Sequence, residues 1–316
     1  MGILVLALAG REAFGSSEVA PRADAESLAP DPVAKSERIG EAAEEMAEDR
    51  SAEIADTIDS YLDDRGVRLG ISLYDLNSGV SFDYANDELF TTASTVKVNI
   101  LVALLLQAQD EDRTLTDEER QLADEMITVS GNDPANTLHA RIGSSAGFES
   151  AMSEFGFADT EPGAGGVWGS TQTTTTDSLR LLEGIVTEES PLSDASREYV
   201  RQLMADVTPE QVWGASVAAG AQDEVEIKNG WVPRDSDGGR WSVNSIAHVF
   251  GADRDLLIAV FSDQHASQEA GVECVEDVVT EVMTGLYPGW APAPDGGTDP
   301  STDGEEHPEM DAEGQE

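Results

Sequence analysis

Residues 90–106 read Phe90-Thr91-Thr92-Ala93-Ser94-Thr95-Val96-Lys97-Val98-Asn99-Ile100-Leu101-Val102-Ala103-Leu104-Leu105-Leu106. Beyond Ser94 nearly every position is apolar, and a helix apolar on all sides belongs at the centre of a core. It opens, however, on Ser94 and Lys97, three residues apart and so on one face of the first turn. A lysine buried there costs free energy unless it is paired or used. Burial, a cationic neighbour and the positive end of the helix dipole all lower its pKa. A neutral amine beside a hydroxyl can activate a serine nucleophile. Taken alone, Ser-x-x-Lys fits a capping serine and a snorkelling lysine equally well.

Outward from this stretch, the pattern on both sides defines the architecture. Upstream, residues 36–64 carry Ile54, Ile58, Tyr61 and Leu62 at helical spacing among acids. Leu69, Ile71 and Leu73 then alternate, Asn77-Ser78-Gly79 marks a turn, and Val80, Phe82 and Tyr84 alternate again, which predicts a β-hairpin. Downstream, helical patterns run near 116–129, 133–142, 145–155, 175–187 and 194–206, with a Gly- and Thr-rich loop over 157–174. Strand patterns return at 224–232, 241–250 and 256–263, the last two joined by a turn over 251–255, and a final helix covers about 267–286. Two strand groups flanking a helical insertion predict an α+β fold. An antiparallel sheet is assembled from both chain ends and flanked by helices, with an all-helical lobe beside it.

Two further short motifs accompany the first. Ser130-Gly131-Asn132 ends a helical segment, and Lys228-Asn229-Gly230 lies in an alternating strand. By themselves they read as a turn with an N-cap and as an edge-strand lysine with a glycine bulge. Yet the chain has only three lysines, Lys35, Lys97 and Lys228, and two of them fall in these motifs. Arginine stays protonated in proteins whereas lysine can give up its proton, so a lysine retained in an arginine-using chain calls for a chemical reason.

In these three motifs the chain resembles the penicillin-recognising serine enzymes, specifically the class A β-lactamases, with their Ser-x-x-Lys, Ser-Asp-Asn and Lys-Thr-Gly set. The resemblance covers about residues 45–286 and extends to Phe90–Lys97, Met126–Ser130, Ile142-Gly143 and the Thr173–Thr176 run. It implies a β-lactamase/transpeptidase-like fold and a serine hydrolase that forms an acyl-enzyme with β-lactams or related amides and esters. Ser94 would be acylated, Lys97 would take its proton, Ser130 would relay a proton to the leaving nitrogen, and Lys228 would hold that relay and the substrate carboxylate. Asn132 would bind the substrate side-chain amide, and the N–H groups of Ser94 and Trp231, next to Gly230, would form the oxyanion hole. Either Arg234 or Arg240 would bind the carboxylate. No cofactor or metal is implied, and the substrate would be a small molecule or a cell-wall peptide.

Three positions depart from the family pattern. Gly131 replaces Asp, giving a form found in some D-alanyl-D-alanine carboxypeptidases. Asn229 replaces Thr or Ser. The loop before Thr173 is shortened and lacks the Glu-Pro-x-Leu-Asn signature whose Glu activates the deacylating water. Glu161-Pro162 is a partial echo in the wrong register, which leaves Glu161 as the residue to test for that role. The alternatives are therefore a D,D-peptidase or esterase, and a β-lactam- or peptidoglycan-binding protein with little turnover.

The remaining composition bounds these readings. The 316 residues carry 63 Asp+Glu against 18 Lys+Arg, a formal net charge of -45. That excludes a nucleic-acid binder, which needs cations to replace the phosphate counterions, and disfavours an anionic membrane surface. Residues 288–316 hold nine acids and no Lys or Arg, a composition that predicts disorder. Without those nine, -36 remains on the rest, as expected for high external salt or a lysine-avoiding, GC-rich genome. Residues 3–9 form an apolar run too short to span a bilayer and similar to a signal-peptide core, although no basic residue precedes it. The expected organisation is an export signal and linker over 1–45, a catalytic domain over 46–287 and an acidic tail over 288–316. Within the catalytic domain, 46–93 and 209–287 form the α/β part and 94–208 the helical part. A monomer outside the cytoplasm, not inserted in a membrane, is expected. Cys274 stands alone, which excludes an intrachain disulfide, and His139, His248, His265 and His307 show neither metal-ligand spacing nor a Ser-His-Asp arrangement.

Overall fold

A computed structural model describes residues 49–293. The fold is α+β. Five antiparallel strands form the main sheet in the order β2-β1-β7-β6-β5. β1 (Arg68–Asp75) and β2 (Ser81–Tyr84) come from one end of the chain. β5 (Glu224–Arg234), β6 (Arg240–Phe250) and β7 (Asp255–His265) come from the other. Arg68 lies opposite Asp263 and Asp75 opposite Leu256, which joins the two groups across β1 and β7.

The two faces of the sheet follow the period of two along each strand. On β7, Leu256, Ile258 and Val260 enter one core cluster. Leu257, Ala259 and Phe261 enter the other. The first face is covered by α1 (residues 49–63), through Ile54, Ile58 and Leu62, and by α8 (Gln268–Leu286), through Cys274, Val275, Val278, Val279 and Val282. The second face carries the helical lobe. Its axis is α2 (Val96–Asp110), buried at every position from Val96 to Leu106. Around α2 stand α3 (Asp117–Thr128), α4 (Asn132–Arg141), α5 (Ser144–Glu154), α6 (Thr175–Val186) and α7 (Asp194–Ala205). Local sequence sets their starts. Thr116 and Glu119 form a reciprocal capping box on α3, and Thr174 and Ser193 cap α6 and α7 through Asp177 N and Ser196 N.

Three features differ from the sequence reading. The loop over 157–174 contains a short strand β4 (Gln172–Thr173), paired with β3 (Phe90–Thr91) just before Ser94. Gly230 is not a bulge: β5 and β6 pair continuously from Glu224↔Phe250 to Arg234↔Arg240. The irregularity lies between β6 and β7, at Trp241/Val243. Finally, the chain keeps packing beyond residue 287, where Trp290 Nε1 donates to Ala218 O (3.1 Å) and Ala293 N to Ala219 O (3.0 Å). The export signal and linker, the start of the first helix, and residues 294–316 with His307 lie outside the described residues.

Candidate active site

Ser94 sits in a single 3-10 turn, Ala93–Thr95, that runs directly into α2. No side chain caps either segment, so the Ser94 hydroxyl is not consumed as a cap. Ala93 holds a left-handed backbone (φ 47) immediately before it, as does Ser130 (φ 60) across the cleft. Non-glycine residues adopt this region at a cost, and such strain gathers at functional sites. Asn244, fully buried on β6, anchors the approach to the turn by donating to Thr91 O (2.8 Å) and Thr92 O (3.0 Å).

Lys97 does not snorkel; it is fully buried. Its Nζ donates to Ser130 O (2.5 Å) and Asn132 Oδ1 (2.9 Å) and lies 3.2 Å from Ser130 Oγ. Lys228 is fully buried as well. Its Nζ lies 3.0 Å from the same Ser130 Oγ, with Asn229 O at 3.1 Å and Gln211 Oε1 at 3.3 Å. Two amines thus converge on one hydroxyl, and among the described residues no carboxylate forms an ion pair with either. Burial pushes the Lys97 pKa down to about 7. Burial, and secondarily repulsion from Lys97, lowers that of Lys228 well below the usual lysine range.

The base form of Lys97 is the neutral amine, and its fraction grows with pH until the pKa is passed. Acylation of Ser94 is accordingly expected to rise about tenfold per pH unit below 7 and to level off above it. Stopped-flow acylation rates between pH 5 and 9 check this. A rate that falls with rising pH through neutrality would contradict it.

Close approach requires glycine at Gly230 and crowds Gly131. A β-carbon on Gly230 would stand 2.7 Å from both Ser94 N and Thr95 N and 2.8 Å from Thr92 O. The edge strand β5 therefore passes directly against the turn that carries Ser94. A β-carbon on Gly131 would stand 3.1 Å from the Pro134 ring and 3.2 Å from Glu125 O. Asn229 turns inward: its Nδ2 donates to Gln211 O (2.8 Å) and Trp213 O (3.0 Å), and its Oδ1 is buried without a partner. The residue that replaces a hydroxyl thus clamps the 211–213 segment to β5.

The cleft, about 540 Å³, is lined by Ser94, Asn132, Trp231, Arg234 and the 167–170 segment, among others. The structure separates the two arginines. Arg234 lines this cleft, with buried Asp263 behind it at 3.6 Å. Arg240 is engaged by Asp237 (2.6 Å) and Gln264 (3.1 Å) and lines a different hollow beside Tyr61 and His265. Glu161 is not brought to Ser94. Its backbone pairs with Gln172, its side chain is exposed, and it does not line the cleft. Two of the histidines, His248 and His265, are engaged elsewhere. His248 bridges Glu226 (2.8 Å) and Asp255 (2.7 Å), and buried His265, its pKa pushed down to about 4 by burial, contacts Ser262 Oγ.

Sequence reading missed three contributors. Gln211 supports Lys228 and ties itself to Thr128 O (3.2 Å). Asn244 left a signal as a polar residue in a buried strand. Trp168 faces Lys97, its ring centroid 5.1 Å from Nζ, and its indole N–H donates to Asn136 Oδ1 (2.8 Å). A lone tryptophan in a Gly- and Thr-rich loop was the available sign of it.

A buried helix opening on serine and lysine, a second serine across the cleft and a lysine on the adjoining edge strand define a β-lactamase/transpeptidase-like scaffold. The chain belongs to the beta-lactamase enzyme family, whose model matches residues 51–120 and 118–285. It is 26% identical over 243 residues to Beta-lactamase AER-1 of Aeromonas hydrophila, covering 66% of this chain and 77% of that protein. It is 23% identical over 228 residues to LppW of Mycobacterium tuberculosis, which carries the name of a lipoprotein, covering 71% and 70%. Among solved structures it is similar to PBP-A (TM-score 0.63, 20% identity, 74% of this chain and 96% of that one). It is also similar to the TLA-1 extended-spectrum β-lactamase (TM-score 0.66, 16% identity, 75% and 99%).

Proposed function

We propose that this protein is a serine acyl-enzyme former of the penicillin-recognising type, acting on β-lactams or related amides and esters outside the cytoplasm. The observation that carries the reading is the sharing of Ser130 Oγ by two buried lysines that have no carboxylate partner among the described residues. In this reading Ser94 Oγ bonds to the carbonyl carbon while neutral Lys97 takes its proton. The amide C–N bond breaks, and the nitrogen receives a proton through Ser130 Oγ. The resulting oxyanion would be held by the Ser94 and Trp231 N–H groups, in line with the close passage of β5 at Gly230. A substrate carboxylate entering between Lys228 and Arg234 would favour the protonated form of Lys228. Asn132 would orient the acyl side chain. The family membership and the lipoprotein-named relative support both the chemistry and the location.

Deacylation is the weak step of this site. The acids of the 157–174 loop, Asp159 and Glu161, are exposed and do not line the cleft. A step without its positioned base loses about 10²–10⁴ in rate. Intact-protein mass spectrometry after mixing with penicillin G is expected to give a stoichiometric adduct that is absent in Ser94→Ala, with slow turnover of a chromogenic β-lactam. Fast turnover abolished by Glu161→Gln would restore Glu161 as the base, and absence of any adduct would refute the acyl-enzyme reading. The Ser130-Gly131-Asn132 sequence favours a second reading, a D,D-peptidase. Release of terminal D-alanine from a cell-wall-type peptide distinguishes it.

A further inference from the structure

We propose that Trp168 is a shielding residue that closes the approach of water to Lys97 and thereby prolongs the life of the Ser94 acyl-enzyme. The inference rests on the acyl-enzyme reading above.

Lys97, one helical turn along from Ser94, is the base this reading sets beside the ester. Two sides of its amine are taken by Ser130 and Asn132. The Trp168 ring stands over a third, at 5.1 Å. The indole has no acceptor with which to orient a water, and its single donor is spent on Asn136 Oδ1. That bond fixes the ring from the α4 side. On the other side, Trp168 belongs to a one-turn 3-10 segment, Trp168–Ser170, in which Thr171 N donates to Trp168 O (3.1 Å). Thr171 O in turn accepts from Thr92 N (2.8 Å) and Thr92 Oγ1 (3.0 Å), two residues before Ser94. The ring is therefore tied to α4, which begins two residues after Ser130, and to the segment that leads into the Ser94 turn. The other polar residues of this loop in the cleft, Ser170 and Gln172, do not accept a proton near neutral pH. Asp235, the one acid lining the cleft, follows Arg234 at the end of β5. Water attack on the ester requires an acceptor for its proton as the new O–C bond forms and Ser94 Oγ leaves. Lys97 is such an acceptor, and the indole occupies its approach. Exclusion of water from a reactive intermediate is a recognised role of active-site walls.

The test uses full-length protein acylated with penicillin G, freed of excess reagent, and followed by mass spectrometry as the adduct decays. In Trp168→Ala the decay is expected to accelerate roughly tenfold, short of what a dedicated base supplies. It should also acquire a pH dependence that rises and levels off near 7, the signature of Lys97 acting on water. Trp168→Phe, which keeps a ring but not the Asn136 bond, should retain most of the wild-type lifetime. An Ala adduct that decays at the wild-type rate, or faster without the pH dependence, overturns the shielding role while leaving the acyl-enzyme reading intact. Failure of the wild type to form any adduct overturns that reading, and the shielding role with it.

Discussion

Replacing Lys97 with arginine is expected to lower the acylation rate of Ser94 by about 10³, within the range for loss of a positioned proton acceptor. Arginine keeps the positive charge but stays protonated at any pH the protein tolerates. The native lysine is fully buried, bonded to Ser130 and Asn132, and titrates near 7 because of that burial. If Lys97 only placed a charge in the cleft, arginine would preserve it. If it takes the Ser94 proton, the variant loses both the rate and its rise with pH. Lys97→Ala removes volume instead of adding it and should lose the same activity, which separates the chemistry from overpacking. Circular dichroism and melting curves establish that each variant is folded, and mass spectrometry counts the adduct. Wild-type acylation in Lys97→Arg would end the general-base assignment.

The second large effect is expected at Gly230. Its missing side chain is the reason β5 can approach the nucleophile turn, since an added β-carbon would meet two backbone nitrogens and a backbone oxygen at 2.7–2.8 Å. None of these atoms is a flexible side-chain end, so either the strand or the turn must shift. Gly230→Ala should therefore shift the adjoining Trp231 backbone, the proposed oxyanion donor, relative to the Ser94 turn and reduce acylation by about 10²–10³, the typical cost of losing one oxyanion donor. Overpacking of this kind also destabilises by roughly 1–3 kcal/mol, which a melting curve detects. A variant acylated as fast as wild type would show that β5 does not help to form the oxyanion site.

The sequence by itself determined the architecture and picked out the candidate reacting groups. The nearly all-apolar run after Ser94 marked a central helix, and the strand patterns at 69–84 and 224–263 marked one sheet built from both chain ends, because their alternation buries one residue set per face. The scarcity of lysine exposed Lys97 and Lys228 before any geometry was known. The tertiary structure decided what depends on distance between segments far apart in the chain. It brought Lys97 and Lys228 to the same hydroxyl of Ser130, across 33 and 98 residues. It selected Arg234 over Arg240 for the cleft, although they are paired neighbours on β5 and β6. It left Glu161 on the outside and put Trp168 against Lys97. Periodicity fixes which face a side chain takes on its own element, whereas the partner it meets there is set by the packing of elements against one another.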